Sequence, residues 1–318
     1  MKKMILPLVI LSAAVILQGC LDSGESDHQR QVREADEMLE SYISSNNIDA
    51  ERQSSGVYIE KVVENEDGKQ VVEDHVVGIV YTMTHLEGEY EVEAHTDTLN
   101  PLRFSNNYNA NFSSLHPAGL MYEIDQMKLG ERFRFYIPSY QAFGNYAHDD
   151  LFDMFSHFII DVELTELKTE EEIFDEELEI INSYIEENEV EAESYPNGLY
   201  HVVTEQGVGK RPISTSRVEF HFTRKYLDGT VIESSEEDEP ISVYLNNNQL
   251  VRGLEDGILL MKEGETAELI MPSKLAFGKS VQVIPQKLRD DWVEERQINP
   301  LAKPYSPVIY EIELLEVY

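Results

Sequence analysis

Cysteine is nearly absent from this chain: Cys20 is the only one in 318 residues, so no intramolecular disulfide can staple the fold. Tryptophan is equally rare, with Trp292 alone. Basic residues are few, 25 Lys and Arg against 61 Asp and Glu, for a formal charge of -36. A surface of that sign repels phosphate backbones and anionic headgroups, so nucleic acid is not expected as a partner, whereas basic or unfolded polypeptides are. Runs such as Glu170-Glu171-Glu172 and Glu186-Glu187 read as solvated helix faces. There is no Gly-rich phosphate loop and no nucleophile spaced from a base, and no cofactor is called for. His148-Asp149-Asp150 and His157 have metal-ligand chemistry, but no second tight cluster accompanies them, and surface loops often carry such residues. The apolar run Met4 to Leu17 is too short to span a bilayer as a stable helix.

Lys2 and Lys3 precede that run and Leu17-Gln18-Gly19-Cys20 closes it. The pattern resembles a bacterial lipobox. It implies a signal peptide over 1–19, cleavage before Cys20, and acylation of the thiol and the new amino terminus. The protein would then be anchored to a membrane of the bacterial cell envelope, facing away from the cytoplasm. Several acyl chains hold a protein stably where one does not. An ordinary secretory leader with a chance cysteine is the alternative. Leu21 to Arg30 reads as a polar tether, within a tether-and-helix segment over 20–50.

The rest of the chain says nearly the same thing twice. Ser183-Tyr184-Ile185 and Gly198-Leu199-Tyr200 repeat Ser41-Tyr42-Ile43 and Gly56-Val57-Tyr58 at an offset of 142. His116 to Gly144 aligns without a gap onto Leu250 to Gly278, with 12 identities in 29 positions. Two copies of a module of about 120 residues follow, over 51–168 and 196–318, with an acidic helix over 169–195 between them.

Thr169-Glu170-Glu171-Glu172 is a capping-box pattern, and Phe174, Leu178, Ile181 and Ile185 recur behind it at helical spacing. Val32, Leu39, Tyr42 and Ile43 make the corresponding, weaker stripe before the first repeat. Each helix is expected to pack on its own repeat or on the neighbouring one. Within the second repeat, Val218 to Thr223, Ile241 to Leu245, Glu265 to Met271 and Val308 to Val317 read as strands separated by turns such as Asp228-Gly229. Leu250, Leu254, Ile258 and Met261 share one helical face. The pattern predicts an α+β fold, each repeat an antiparallel sheet packed on one short helix.

The second repeat resembles the FKBP-type peptidyl-prolyl isomerases. The resemblance rests on His221-Phe222-Thr223, Leu227 to Ser235, Leu250 to Gly257, Met261-Lys262-Glu263-Gly264-Glu265, Leu275-Ala276-Phe277-Gly278 and Ile312 to Val317, in family order. It implies rotation about X-Pro amides of proline-containing polypeptide clients, which needs neither nucleophile nor metal. It also implies a catalytic set of Phe222, Glu233, Val251, Phe277 and Tyr310, with Ile232, Ile241, Leu250 and Leu254 binding substrate. Val251 would donate its backbone N-H, and Leu254 would be the pocket floor. Ile232 and Ile241 stand where phenylalanines are usual, Leu254 where tryptophan is common, and Phe222 and Phe277 where tyrosines supply hydroxyls. Each lost substrate hydrogen bond costs about 0.5 to 1.5 kcal/mol, so activity is expected to be weakened.

The first repeat matches more loosely, and Glu89 to Leu115 is divergent. Its degenerate site would comprise Tyr81, Pro117, Leu120, Phe143 and Ile160. Pro117 takes the place of Val251 and has no N-H to give, and Ile160 replaces the aromatic at Tyr310. It reads as a binding or spacing module.

The second repeat carries an insertion over 279–307, about thirty residues where a short rim loop is usual. Leu288, Trp292 and Arg296 suggest a short helix within it. Trp292 is expected either to add aromatic surface to the second pocket, as a substrate-binding residue, or to pack on the sheet exterior. Two functions follow: a lipid-anchored isomerase with an active second repeat, or a non-catalytic chaperone or assembly component that holds clients in these shells.

Overall fold

The computed structural model of the chain describes residues 25–106, 115–236, 238–295, 297–298 and 302–318. In the first half, helix α1 (Asp27–Ser45) precedes strands β1 (Glu51–Arg52), β2 (Tyr58–Val63), β3 (Val76–His85), β4 (Glu91–His95), β5 (Leu102–Ser105) and β6 (Leu115–His116). Helix α2 (Ala118–Glu123) and strands β7 (Arg132–Ile137) and β8 (Phe158–Lys168) complete it. The second half runs through α3 (Glu170–Glu187), β9 (Glu193–Ser194), β10 (Tyr200–Glu205), β11 (Arg217–Tyr226), β12 (Val231–Ser234) and β13 (Ile241–Tyr244). It continues with α4 (Arg252–Ile258), β14 (Thr266–Met271), β15 (Gln282–Val283), α5 (Gln286–Glu294) and β16 (Val308–Val317).

Two seven-stranded sheets result, ordered β1-β2-β7-β8-β3-β4 with β5 also on β3, and β9-β10-β14-β16-β11-β12 with β13 also on β11. Their strands pair antiparallel, and α2 and α4 each lie across one sheet, as the α+β reading requires. Because opposed residues of an antiparallel pair share a face, register shows which positions correspond. Tyr81 faces Val162 and Met83 faces Ile160 in the first sheet. Phe222 faces Ile312 and Arg224 faces Tyr310 in the second. Tyr81 therefore corresponds to Phe222, Ile160 to Tyr310, and Met83 to Arg224.

The preceding helices start where their caps dictate. Ser26 with Gln29, and Thr169 with Glu172, form reciprocal capping boxes. Helix α1 thus begins at Asp27, inside the stretch the sequence suggests as a tether, because Ser26 meets the first orphan N-H groups. It buries Ala35, Leu39 and Ile43, the last two against Tyr58 and Tyr136 of its own repeat. Helix α3 buries Ile173, Glu177 and Ile181, with Ile181 against Ile270 and Ile309 of the second sheet. Its buried stripe is centred one residue away from the predicted one, and it includes a carboxylate. By the offset of 142, Glu177 occupies the place of Ala35. Its Oε2 accepts the Ser273 N-H at 2.8 Å and the Ser273 hydroxyl at 3.0 Å.

The insertion does not stay over the second repeat. It leaves at Gly278, whose carbonyl accepts the Tyr305 N-H at 2.9 Å, and crosses to the first repeat. There β15 joins β6 as a parallel two-stranded sheet, and Val283, Ile284 and Leu288 enter the core that holds Phe104, Phe135 and Phe158. Burying each such side chain contributes roughly 1.5 to 3 kcal/mol. Arg289 of α5 bridges the two arms of the insertion, donating Nη2 to the Ala302 carbonyl at 3.0 Å and Nε to that of Val281 at 3.4 Å. The predicted helix in the insertion is present as α5, with Leu288 and Trp292 on it; Arg296 lies outside the described residues.

Candidate functional site

In the second repeat, strands β11 and β16 set one wall. Phe222 and Tyr310 lie 5.9 Å apart between ring centroids, and Tyr310 is 2 % exposed. Helix α4 supplies the floor through Leu254, which is 4 % exposed. Glycines let that helix lie close: a Cβ on Gly253 or Gly257 would fall 2.4 Å from the Met271 sulfur or 2.2 Å from Leu269 Cδ1. Around Leu254 stand Ile232 from β12, Ile241 from β13, Leu250 and Val251 ahead of α4, and Phe277 after β14. All five are half-buried and pack on the same core. The structure therefore gathers every residue assigned to the second pocket except Trp292.

Val251 is the N-cap of α4, at φ -66 and ψ 151. A helix start leaves orphan N-H groups, and the Val251 N-H donates to no acceptor among the described residues. It is available to a ligand at the pocket edge.

Sequence reading missed Arg224. It is 6 % exposed and its guanidinium lies 4.4 Å above the centre of the Phe277 ring. Nη1 donates to the Tyr310 hydroxyl at 3.0 Å and Nη2 to Glu233 Oε2 at 2.8 Å, while the buried Nε finds no partner among the described residues. Strand alternation could have revealed it, since Phe222 and Arg224 are two apart and share a face. Burial raises the Tyr310 hydroxyl pKa, with the nearby guanidinium acting against the shift. One cation thus ties the pocket wall, the acidic rim residue and the aromatic cover together. Where the family pattern places hydroxyls, this pocket holds a guanidinium behind phenylalanines.

In the first repeat the corresponding place is filled. Tyr81, Leu120 and Ile160 are buried and Phe143 is half-buried, all in one core cluster. Pro117 caps α2 at φ -72 and ψ 145, values near those of Val251, but behind a cis His116-Pro117 bond and without a donor. Trp292 packs here rather than at the second pocket. Its ring meets those of Tyr146, His116 and Phe143 edge-on at 5.6, 6.0 and 6.2 Å. The expectation that it serves substrate binding in the second repeat is thereby corrected, as is the sheet-exterior alternative. The reason is that β15 and α5 carry the tryptophan across to an apolar site large enough to take it.

Glu93 was also missed, because it lies in the stretch too divergent to align. It accepts the Tyr81 hydroxyl and the backbone N-H groups of Gln286 at 2.7 Å and Lys287 at 3.4 Å. Burial, then the Glu93 charge, raises the Tyr81 hydroxyl pKa far above its usual range. Burial lowers that of His116 and favours the neutral ring.

His148 meets Asp291 at 2.6 Å, and His157 lies 3.4 Å from Glu87. His148 holds Asp291 below the ordinary carboxylate range, and Lys287 adds to that shift. Among the described residues no three ligand-type side chains gather to hold a metal. No described helix is long and apolar enough to cross a membrane, and Cys20 lies outside the described residues.

Comparison with known proteins agrees with this geometry. The FKBP-type peptidyl-prolyl cis-trans isomerase family model matches residues 209–315. The FKBP-type 22 kDa peptidyl-prolyl cis-trans isomerase of Escherichia coli (strain K12) is 34% identical over 137 residues, covering 42% of this chain and 58% of that protein. The macrophage infectivity potentiator of Trypanosoma cruzi is 28% identical over 128 residues, covering 40% of this chain and 57% of that protein. The chain thus spans little more than half the length of these two relatives. Mus musculus peptidyl-prolyl cis-trans isomerase FKBP2 is 30% identical over 119 residues, 35% of this chain and 74% of that protein. Among solved structures, the three FKBP domains of wheat FKBP73 match with a TM-score of 0.33 at 21% identity, over 83% of this chain and 96% of that one. With a family match across the second pocket and most of the mouse protein's length covered, the chain belongs to the FKBP-type peptidyl-prolyl cis-trans isomerase family.

Proposed function

We propose that the second repeat is a peptidyl-prolyl cis-trans isomerase for extracytoplasmic polypeptides, carried on a lipid-anchored chain, and that the first repeat does not turn over substrate. One contrast carries this reading. The Val251 N-H donates to no acceptor among the described residues and lies beside the half-buried apolar side chains around Leu254, whereas Pro117 has no N-H and Val283, Ile284 and Leu288 of the insertion pack into its repeat's core.

The chemistry asked of the pocket is modest in parts and large in barrier. Rotation about an X-Pro amide must break the partial double bond, against a barrier of about 18 to 20 kcal/mol. In the twisted amide, resonance is lost and the carbonyl oxygen carries less charge, so a dry apolar surface favours it over the planar form. Leu254, Tyr310, Phe222, Ile232 and Ile241 supply that surface. The Val251 N-H holds the flanking peptide, so that the proline ring stays on the floor while the preceding residue turns. Arg224 is a positioning residue, fixing Phe277, Tyr310 and Glu233 relative to one another.

A second reading, client holding without turnover, is favoured by the phenylalanines at 222 and 277. A protease-coupled proline-isomerisation assay on the full chain separates the two. Acceleration of the slow phase supports the isomerase, and tight peptide binding without acceleration supports the holder.

Anchorage is proposed from the lipobox-like leader. Cys20 would carry the acyl chains, and the polar segment behind it would hold the two repeats off a bacterial envelope membrane.

A further inference from the structure

The filled site of the first repeat has the anatomy of a complex with a peptide ligand. Residues 282–283 add to β6 as a strand, and the Ile284 N-H donates to the His116 carbonyl at 3.0 Å. Main-chain bonds to an open strand edge are one way extended peptides are held. Ile284 and Leu288 are fully buried in the core cluster that also holds Leu120, and Glu93 receives the chain where it turns into α5. Charged pairs close the rim: His148 with Asp291 at 2.6 Å, and Lys287 with Asp150 at 3.4 Å. An apolar centre inside a polar rim is the arrangement of an interface between separable partners.

The second repeat shows what the first would be without its occupant. The corresponding edge, Gln249 to Val251, carries no strand partner among the described residues, and the apolar side chains around Leu254 stay half-exposed. The same shell thus keeps its fold with the groove open. Occupancy of the first groove is therefore not a condition of the architecture.

We infer that the first repeat is a receptor for extended apolar segments that contain an Ile-Pro step and run into a helix, and that the chain's own residues 281–292 close it from within the same molecule. A client segment of that chemistry would gain the site by displacing the insertion. This does not depend on whether the second repeat turns over substrate.

The test uses a synthetic peptide of residues 279–295 with phenylalanine at position 292, so that Trp292 of the intact chain is the only tryptophan in the tube. A docked insertion competes at an effective concentration in the millimolar range, so peptide at several millimolar is needed. Titration into the full chain is expected to red-shift Trp292 emission and increase its quenching by acrylamide, saturably, while a scrambled peptide changes neither. A second arm uses full-length Ile284→Asp/Leu288→Asp, which should undock the insertion. A fluorescein-labelled form of the same peptide is expected to bind this variant at least tenfold more tightly than it binds wild type. An unmoved Trp292 spectrum at saturating peptide overturns the inference. So does a variant with wild-type circular dichroism that binds the labelled peptide no better than wild type.

Discussion

The Glu93 carboxylate accepts the Gln286 backbone N-H at 2.7 Å, joining residues 193 positions apart. The bond ties the acidic rim of one repeat to the insertion of the other. It makes the tryptophan a reporter of the first site rather than part of the second.

Trp292→Ala should therefore destabilise the first repeat while leaving peptide binding at the second pocket unchanged. The indole is half-buried among Phe143, Tyr146 and His116, so a loss of about 2 to 3 kcal/mol is expected, below that of a fully buried aromatic. Thermal unfolding and isomerase kinetics on the same preparation check this. A fall in kcat/KM with unchanged unfolding would place Trp292 at the working site after all.

Arg224→Met imports the residue of the first repeat, Met83, at the corresponding register position. Glu233 has a side chain 44% exposed and can turn to water, but the buried Tyr310 hydroxyl loses the Arg224 bond, so stability should fall by about 1 to 3 kcal/mol. Catalytic efficiency should also fall roughly tenfold, because Phe277 and Glu233 lose their common anchor. Arg224→Lys should not restore it, since an ammonium cannot reproduce the planar fork. Wild-type kinetics in the Met variant would show that Arg224 only fills space.

The buried Glu177 predicts a pH dependence. Burial pushes its carboxyl up to about 7 from an ordinary 4.5, against the two Ser273 bonds. A raised folded value means that its contribution to stability is full below about 4.5 and is lost as pH rises through about 7. That range is worth about 3 kcal/mol. Glu177→Gln should thus gain on wild type progressively between pH 5 and pH 8 in thermal unfolding. A gap that does not vary with pH would show that Glu177 titrates normally in the folded chain.

Repetition and strand periodicity made most of the architecture legible. The antiparallel strands follow from spacing, while the positions of Tyr81 and Ile160, implied by the family resemblance, correspond in register to Phe222 and Tyr310. Polar residues in apolar places were not legible. Glu177 and Arg224 look like surface charges in a chain this acidic, and only the neighbours that tertiary packing brings up reveal their burial. Trp292 was misplaced for a different reason. A long insertion is anchored in sequence to its own repeat, yet its apolar residues go wherever an apolar site is vacant, and that site lay in the other copy.

Cys20→Ser tests the proposed anchor. Without acyl attachment the chain should move from the membrane pellet to the soluble fraction of fractionated bacterial cells. Continued pelleting of the Ser variant with membranes would remove the lipoprotein proposal.

The central claim is that the Val251 N-H makes the second repeat the working copy, and Val251→Pro tests it most directly. The backbone at 251 already lies at φ -66, the value proline imposes, and its N-H serves no internal bond among the described residues. In the full chain the account predicts a wild-type melting temperature together with a fall in kcat/KM of about tenfold or more, the loss of a donor used by substrate. Unchanged isomerase activity in the folded variant would contradict it.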